Sequence, residues 1–197
     1  MEDLVSLFRE AGWIIIVVGI IAISIWYRHR STKKWKSLAL ELGLQFQQAT
    51  FLHRPEIRGQ FRNHQVHIYT YSTGGRSNQT YTVVRLFLNH PVNLGLQVYK
   101  EGFFSKIGKA VGSQDIQLND PQFDEAMMVK GNEERAVKNY LTPSLRTELL
   151  RLLQQEKQIQ FDDLGIQLRI RGMVADIARL KESLQNMQYI CDVADSN

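Results

Sequence analysis

The stretch Gly102 to Gly112, GFFSKIGKAVG, sets glycines, lysines and two aromatic rings close together and invites comparison with a phosphate-binding loop. Such a loop needs Gly, four residues, then Gly-Lys-Ser/Thr, so that backbone amides cradle phosphates and the hydroxyl ligates magnesium. Here five residues separate Gly102 from Gly108, and Ala110 stands where the hydroxyl belongs. The spacing therefore argues against nucleotide binding. Two readings are left for the segment. It is a glycine-bounded loop or short helix packing Phe103, Phe104 and Ile107 into its own domain. Alternatively it is interfacial, with Phe103 and Phe104 among lipid headgroups and Lys106 and Lys109 on phosphates.

The other chemistry-bearing residues do not assemble into a set. His64 and His67 lie three apart, which on a strand puts them on opposite faces, so they cannot share a metal. His29, His53 and His90 have no HExxH-like or Cys/His neighbourhood. Asp124-Glu125 and Asp162-Asp163 are adjacent in sequence, whereas acid–base work needs carboxylates that converge on one substrate. Turn and cap chemistry suits both pairs. There is no Gly-x-Ser-x-Gly elbow for a nucleophilic serine. Cys191 is the single cysteine, which excludes an intramolecular disulfide and a cysteine-based zinc cluster, and nothing near it in sequence would activate the thiol. The expectation is a protein that is not an enzyme and holds no cofactor or metal.

Charge is distributed unevenly. The 197-residue chain carries a net +4, but residues 28–109 carry +10, residues 110–197 carry −4 and the first ten residues −2. A basic half attracts anionic lipid at about 1 kcal/mol per Lys or Arg near the surface. Nucleic acid would attract the same charges. The apolar run described next holds them within reach of lipid instead, so nucleic acid is the weaker expectation.

Residues Ala11 to Tyr27, AGWIIIVVGIIAISIWY, form an uncharged run of 17 residues with seven isoleucines. As a helix the run would extend about 25 Å, against a hydrocarbon core of ~30 Å. Trp13 near one end and Trp26-Tyr27 at the other match the positions of interfacial anchors. The preceding MEDLVSLFRE is acidic and no small-residue cleavage site follows, which argues against a signal peptide. Arg28, Arg30, Lys33, Lys34 and Lys36 lie just after the run, and only Arg9 before it. The expectation is a single transmembrane helix over 11–27. By the positive-inside rule, residues 1–10 lie outside a bacterial inner membrane and the main domain is cytoplasmic.

Behind that run the elements alternate. Residues 28–43 read as a basic juxtamembrane helix, with Trp35, Leu38 and Leu42 on one face from Lys33 onward and Gly43 as a C-terminal stop. Residues 44–191 read as one domain. Strands are expected over Glu56–Phe61, Gln65–Tyr71, Thr80–Asn89 and Leu94–Tyr99, with shorter ones at Ile116–Leu118 and Ala126–Val129. Helices are expected from an Asn132 cap to Leu141 and from Thr142-Pro143 onward. Gln158–Phe161 and Ile166–Ile170 read as a hairpin, Met173–Met187 as a last amphipathic helix and 192–197 as a polar tail. Strands first and helices later predict an α+β fold with antiparallel strands and C-terminal helices.

Asp115-Ile116, Asp120-Pro121, Phe123-Asp124, Met128-Val129-Lys130-Gly131 and Tyr140-Leu141-Thr142 read DI…DP-FD…MVKG…YLT. With the Trp of the first helix and Ile57-Arg58-Gly59, this pattern over about residues 30 to 170 resembles a family of uncharacterised single-span membrane-anchored bacterial proteins. The resemblance implies an α+β domain on an anchor and carries over no catalytic residues. Function is expected to be that of an accessory or scaffold subunit of a larger inner-membrane complex, contacting a membrane-protein partner and anionic headgroups. A lipid- or ligand-binding domain at the membrane surface is the alternative. An enzyme whose site is not visible in sequence is the second alternative.

Overall fold

The computed structural model describes residues 2–48, 54–74, 79–100, 115–174 and 176–197, with the side chains of 2–13, 21, 24, 25 and 27–31 left undescribed. The chain opens with one continuous helix, α1 (Glu2–Leu42). Gly43, at φ 68°, ends it in a left-handed turn. Leu44 N–H donates to the Ala39 carbonyl at 2.7 Å, and Gly43 N–H to Leu40 at 3.2 Å. This returns the last carbonyls of the helix to hydrogen bonding.

Eight strands follow: β1 (Gln45–Gln47), β2 (Glu56–Phe61), β3 (His64–Ser72), β4 (Thr80–Phe87), β5 (Gln97–Tyr99), β6 (Met128–Lys130), β7 (Ile159–Asp162) and β8 (Gly165–Arg171). They make one sheet in the order β1-β2-β3-β4-β8-β7-β5-β6, antiparallel throughout. Among the described residues, four further helices follow, α2 (Pro121–Ala126), α3 (Glu134–Tyr140), α4 (Pro143–Gln155) and α5 (Ile177–Asp195).

Alternation along the strands decides which face is buried. Ile57, Val66, Ile68, Val84, Leu86 and Leu168 point inward and join Trp35, Leu149 and Leu184 of the helices in one core. Polar groups lock the helical layer. Glu156, buried at the end of α4, accepts from Ser183 Oγ and Arg179 Nη2 of α5, each at 2.7 Å. Trp35 Nε1 donates to the Val174 carbonyl at 2.6 Å.

The expected transmembrane helix is corrected. Among the described residues, no helix is long and apolar enough to cross a membrane. The physical reason lies in the length of the apolar run. Its 17 residues reach about 25 Å, less than the ~30 Å of a bilayer core, and the same helix continues into charged sequence at Glu10 and Arg28. The α+β domain with its antiparallel sheet remains.

Local differences have local causes. Leu94–Leu96, expected in a strand, lie outside the ladder because the Asp163 carboxylate takes their backbone N–H groups: Leu94 at 3.1 Å, Gly95 at 2.8 Å and Leu96 at 2.9 Å. Ile116–Leu118 is not a strand. Its neighbour Asp115 makes one isolated bridge to Lys130, and the Leu118 N–H turns to the Asp124 carboxylate at 2.9 Å. Asp120-Pro121 instead starts a helix the periodicity did not suggest, with Asp120 Oδ1 accepting from Phe123 N–H at 3.3 Å. Glu133, not Asn132, stands at the N-cap position of α3, without a side-chain capping bond, while the Asn132 N–H donates to the Leu94 carbonyl at 2.8 Å. The expected polar tail is helical as far as Asp195, where Asp192 and Asp195 pair with His64 and Asn89.

Candidate functional site

Side chains of the opposite sheet face follow the same two-residue period. Glu56, Arg58 and Gln60 of β2 lie beside Gln65, His67, Tyr69 and Tyr71 of β3. Next come Tyr81, Arg85 and Phe87 of β4, then Gln167, Arg169 and Arg171 of β8. This face is rich in rings and guanidinium groups, and neighbouring strands set them against one another.

Arg169 lies across two tyrosines, its Cζ 4.3 Å from the Tyr81 ring centroid and 4.9 Å from that of Tyr71. The two rings are stacked at 5.6 Å and 21°. Guanidinium over an aromatic face is an electrostatic attraction of ~0.5–2 kcal/mol, depending on solvent exposure. Burial pushes the Tyr71 hydroxyl pKa up, and the positive charge of Arg169 opposes that rise without cancelling it. Further along, Arg85 Nη2 contacts both oxygens of Asp162 at 2.9 Å while its Cζ lies 5.2 Å from the Phe87 ring.

At the corner of the sheet the groups become a network. His67 Nε2 lies 2.7 Å from Glu56 Oε2, a hydrogen bond in which the ring must donate. That nitrogen then has no lone pair for Arg58 Nε, 3.3 Å away, so the bond from Arg58 Nη2 to Glu56 Oε2 at 3.0 Å holds the guanidinium. Burial would raise the Glu56 carboxyl pKa, but hydrogen bonds from His67 and Arg58 and their positive charge outweigh it and hold it below the ordinary value. His67 also packs on Tyr69 with ring centroids 4.6 Å apart.

Beside this network is a cavity of about 520 Å³. Its lining includes Arg58, His67, Phe87 and the carboxamides of Gln45, Gln60, Asn63 and Gln65. Gln45 stands opposite Arg58 in the ladder, and Gln60 opposite Gln65, so these side chains share a face. Gly59 lies between them at φ 152°, and a Cβ there would come within 2.9 Å of Leu44 Cδ2 on the core side.

Of the residues singled out in sequence, His67 belongs to this corner, whereas Lys33, Lys34, Lys36 and Trp26 do not line the cavity. Lys33, Lys34 and Lys36 are exposed along α1, and Trp26 is exposed on the same helix. The side chains of Trp13, Tyr27, Arg28 and Arg30, and all of Phe103, Phe104, Lys106 and Lys109, lie outside the described residues. His64 is fully buried, donates through Nδ1 to the Phe87 carbonyl at 3.0 Å and lies 2.8 Å from Asp192 Oδ1. It therefore points away from His67, as their spacing requires. Cys191 is buried, and burial pushes its thiol pKa up, with the Asp195 charge adding to the shift. The DP-FD stretch is structural: Phe123 is fully buried, and Asp124 accepts from the N–H groups of Leu118 and Asp120.

The cavity residues were not found from sequence. Their signal was the alternation Gln65-x-His67-x-Tyr69-x-Tyr71 and Gln167-x-Arg169-x-Arg171, polar or aromatic at every second position. A solvated strand face has the same period, so the pattern alone does not mark a site.

No family model matches the chain, and no curated protein matches it. Among solved structures it is similar to the crystal structure of the mycobacterial trehalose monomycolate transport factor A. The match has a TM-score of 0.58 and 13% sequence identity, and covers 83% of this chain and 93% of that one. At that identity, what the two chains are shown to share is the fold.

Proposed function

We propose that the chain is a non-enzymatic accessory subunit of a larger assembly at the bacterial inner membrane, with its domain on the cytoplasmic side. One observation carries this reading. Ile14, Ile15, Ile16, Val17 and Val18 of α1 are all exposed, by 43% to 70%. At 3.6 residues per turn, five consecutive residues face every direction around a helix. Helices that are apolar all round are ordinarily buried, and large exposed apolar patches mark interaction sites. We take the occupant to be a set of apolar helices of a membrane protein. Trp35 and its bond to Val174 fasten α1 to the domain, so docking of the helix carries the domain against the partner. Lys33, Lys34 and Lys36, beyond the apolar run, would face anionic headgroups beside that partner at about 1 kcal/mol each. The fold shared with a transport factor supports an accessory role in transport.

A second reading, ligand binding at the membrane surface, is favoured by the cavity at the sheet corner. The accessory reading is tested by purifying the tagged full chain in mild detergent. A membrane protein should co-purify in fixed stoichiometry and be lost from the Ile15→Ser/Val18→Ser variant. Equal recovery with the folded variant would overturn it.

A further inference from the structure

The geometry points to a binding site for a neutral carbohydrate in the cavity between β1, β2, β3 and β4. The cavity's volume of about 520 Å³ falls within the ~300–1,000 Å³ typical of small-molecule sites. Gln45, Gln60, Asn63 and Gln65 contribute four carboxamides to it. All four side chains are exposed, and among the described residues none has a hydrogen-bond partner in the protein, so their amides are open to a ligand. Each carboxamide offers an acceptor oxygen and a two-proton donor nitrogen side by side. Neighbouring hydroxyls of a sugar, each both donor and acceptor, match that pairing.

Charge disfavours the obvious competitor. An anionic ligand would be drawn to Arg58, but Arg58 already faces Glu56 Oε2 at 3.0 Å, and His67 donates to the same carboxylate oxygen. The Arg58 charge is thus already offset by a carboxylate beside the cavity, which weakens its pull on an anion. Phe87 adds an aromatic ring to the lining, over which the Arg85 guanidinium lies with Cζ 5.2 Å from the centroid, while its ladder partner Gly165 adds no side chain. An aromatic ring beside several amides suits a ligand with polar edges and C–H faces. The same sugar chemistry could come from a free saccharide or from the headgroup of a glycolipid. The inference stands on the cavity alone and is independent of how α1 docks.

The test uses the full chain, held in a zwitterionic detergent so that the detergent brings no sugar. Maltose, dodecyl maltoside below its micellar concentration and glucose 6-phosphate are titrated while amide and side-chain NMR signals are followed. Maltose should shift the carboxamide signals of Gln60 and Gln65 saturably. Gln60→Leu/Gln65→Leu, with unchanged circular dichroism, should weaken binding at least fivefold. Tighter binding of dodecyl maltoside through the same residues would identify a glycolipid headgroup as the source, and equal affinity a free saccharide. Absence of saturable shifts with both sugar probes, equal affinity in the double variant, or tighter binding of glucose 6-phosphate than of maltose would overturn the proposal. Co-purification of a partner through α1 is unaffected by any of these results, so failure here and failure of the accessory reading are distinguishable.

Discussion

Trp35 Nε1 donates to the carbonyl of Val174 at 2.6 Å, joining residues 139 positions apart. The indole is fully buried, and through it the long first helix is fastened to the segment between β8 and α5. Trp35→Phe keeps most of the apolar contact but leaves the Val174 carbonyl without this donor, at about 1–2 kcal/mol. Trp35→Ala adds a cavity and should cost about 3–5 kcal/mol. Denaturant titration followed by circular dichroism measures both, and equal stability of the Ala variant and the parent would show that the helix is not anchored there.

The carboxylate of Asp163 accepts from three consecutive backbone N–H groups, those of Leu94, Gly95 and Leu96. Asp163→Ala strands all three in a partly buried turn. A loss of roughly 3 kcal/mol is expected, given the cost of unsatisfied donors. Asp163→Asn, which keeps one acceptor oxygen, should lose less. Hydrogen exchange of the three amides reads the effect directly, and unchanged protection in the Ala variant would contradict it.

Glu56 gives the sheet corner a pH dependence of known sign. Its pKa is lowered in the folded chain, so the stability it contributes is present above the ordinary carboxylate value of 4.5 and is lost as pH falls through the folded value. The stability difference between the parent chain and Glu56→Gln should be constant above that pH and shrink below it. Denaturation curves from pH 6 to pH 2 supply the measurement. A difference that grows on acidification would reverse the sign and refute the network.

Cys191 is completely buried in α5, and its thiol pKa is raised by burial. The thiolate is the reactive form. A thiol reagent at neutral pH should leave the native chain unlabelled and react only as the domain unfolds, at a rate that follows denaturant concentration. Rapid stoichiometric labelling of the native chain would place α5 elsewhere.

Some of this architecture was legible in the sequence and some was not. The β-branched run expected over Thr80–Asn89 and the Thr142-Pro143 helix start carry their signals locally; the strand forms as far as Phe87, and α4 starts at Pro143 with Thr142 Oγ1 accepting from Leu145 N–H. The placement of β8 against β4 depends on contacts between residues some 80–90 positions apart, such as Val84 opposite Leu168, which no local period encodes. The stack of Arg169 on Tyr71 and Tyr81 exists only because of that placement. At residues 11–27 composition alone resembles a membrane span, whereas the apolar run is short and sits inside a longer helix. The carboxamide cavity was invisible for a different reason, because Gln and Asn on a strand face look solvated until the ladder register brings Gln60 opposite Gln65.

The central claim, that the first half of α1 is covered by apolar helices of a protein partner, is tested most directly by photo-crosslinking from that helix. A photoreactive amino acid is placed singly at Ile15, Ile16 and Val18, which point in different directions and are all exposed. Irradiation in cells should give adducts to membrane-protein partners from all three positions, mapping by mass spectrometry to apolar helices of a single assembly. The same probe at Lys157, an exposed position remote from α1 in sequence, should not reach those helices. Adducts to lipid alone, or no protein adduct from any of the three positions in a folded chain, would contradict the account.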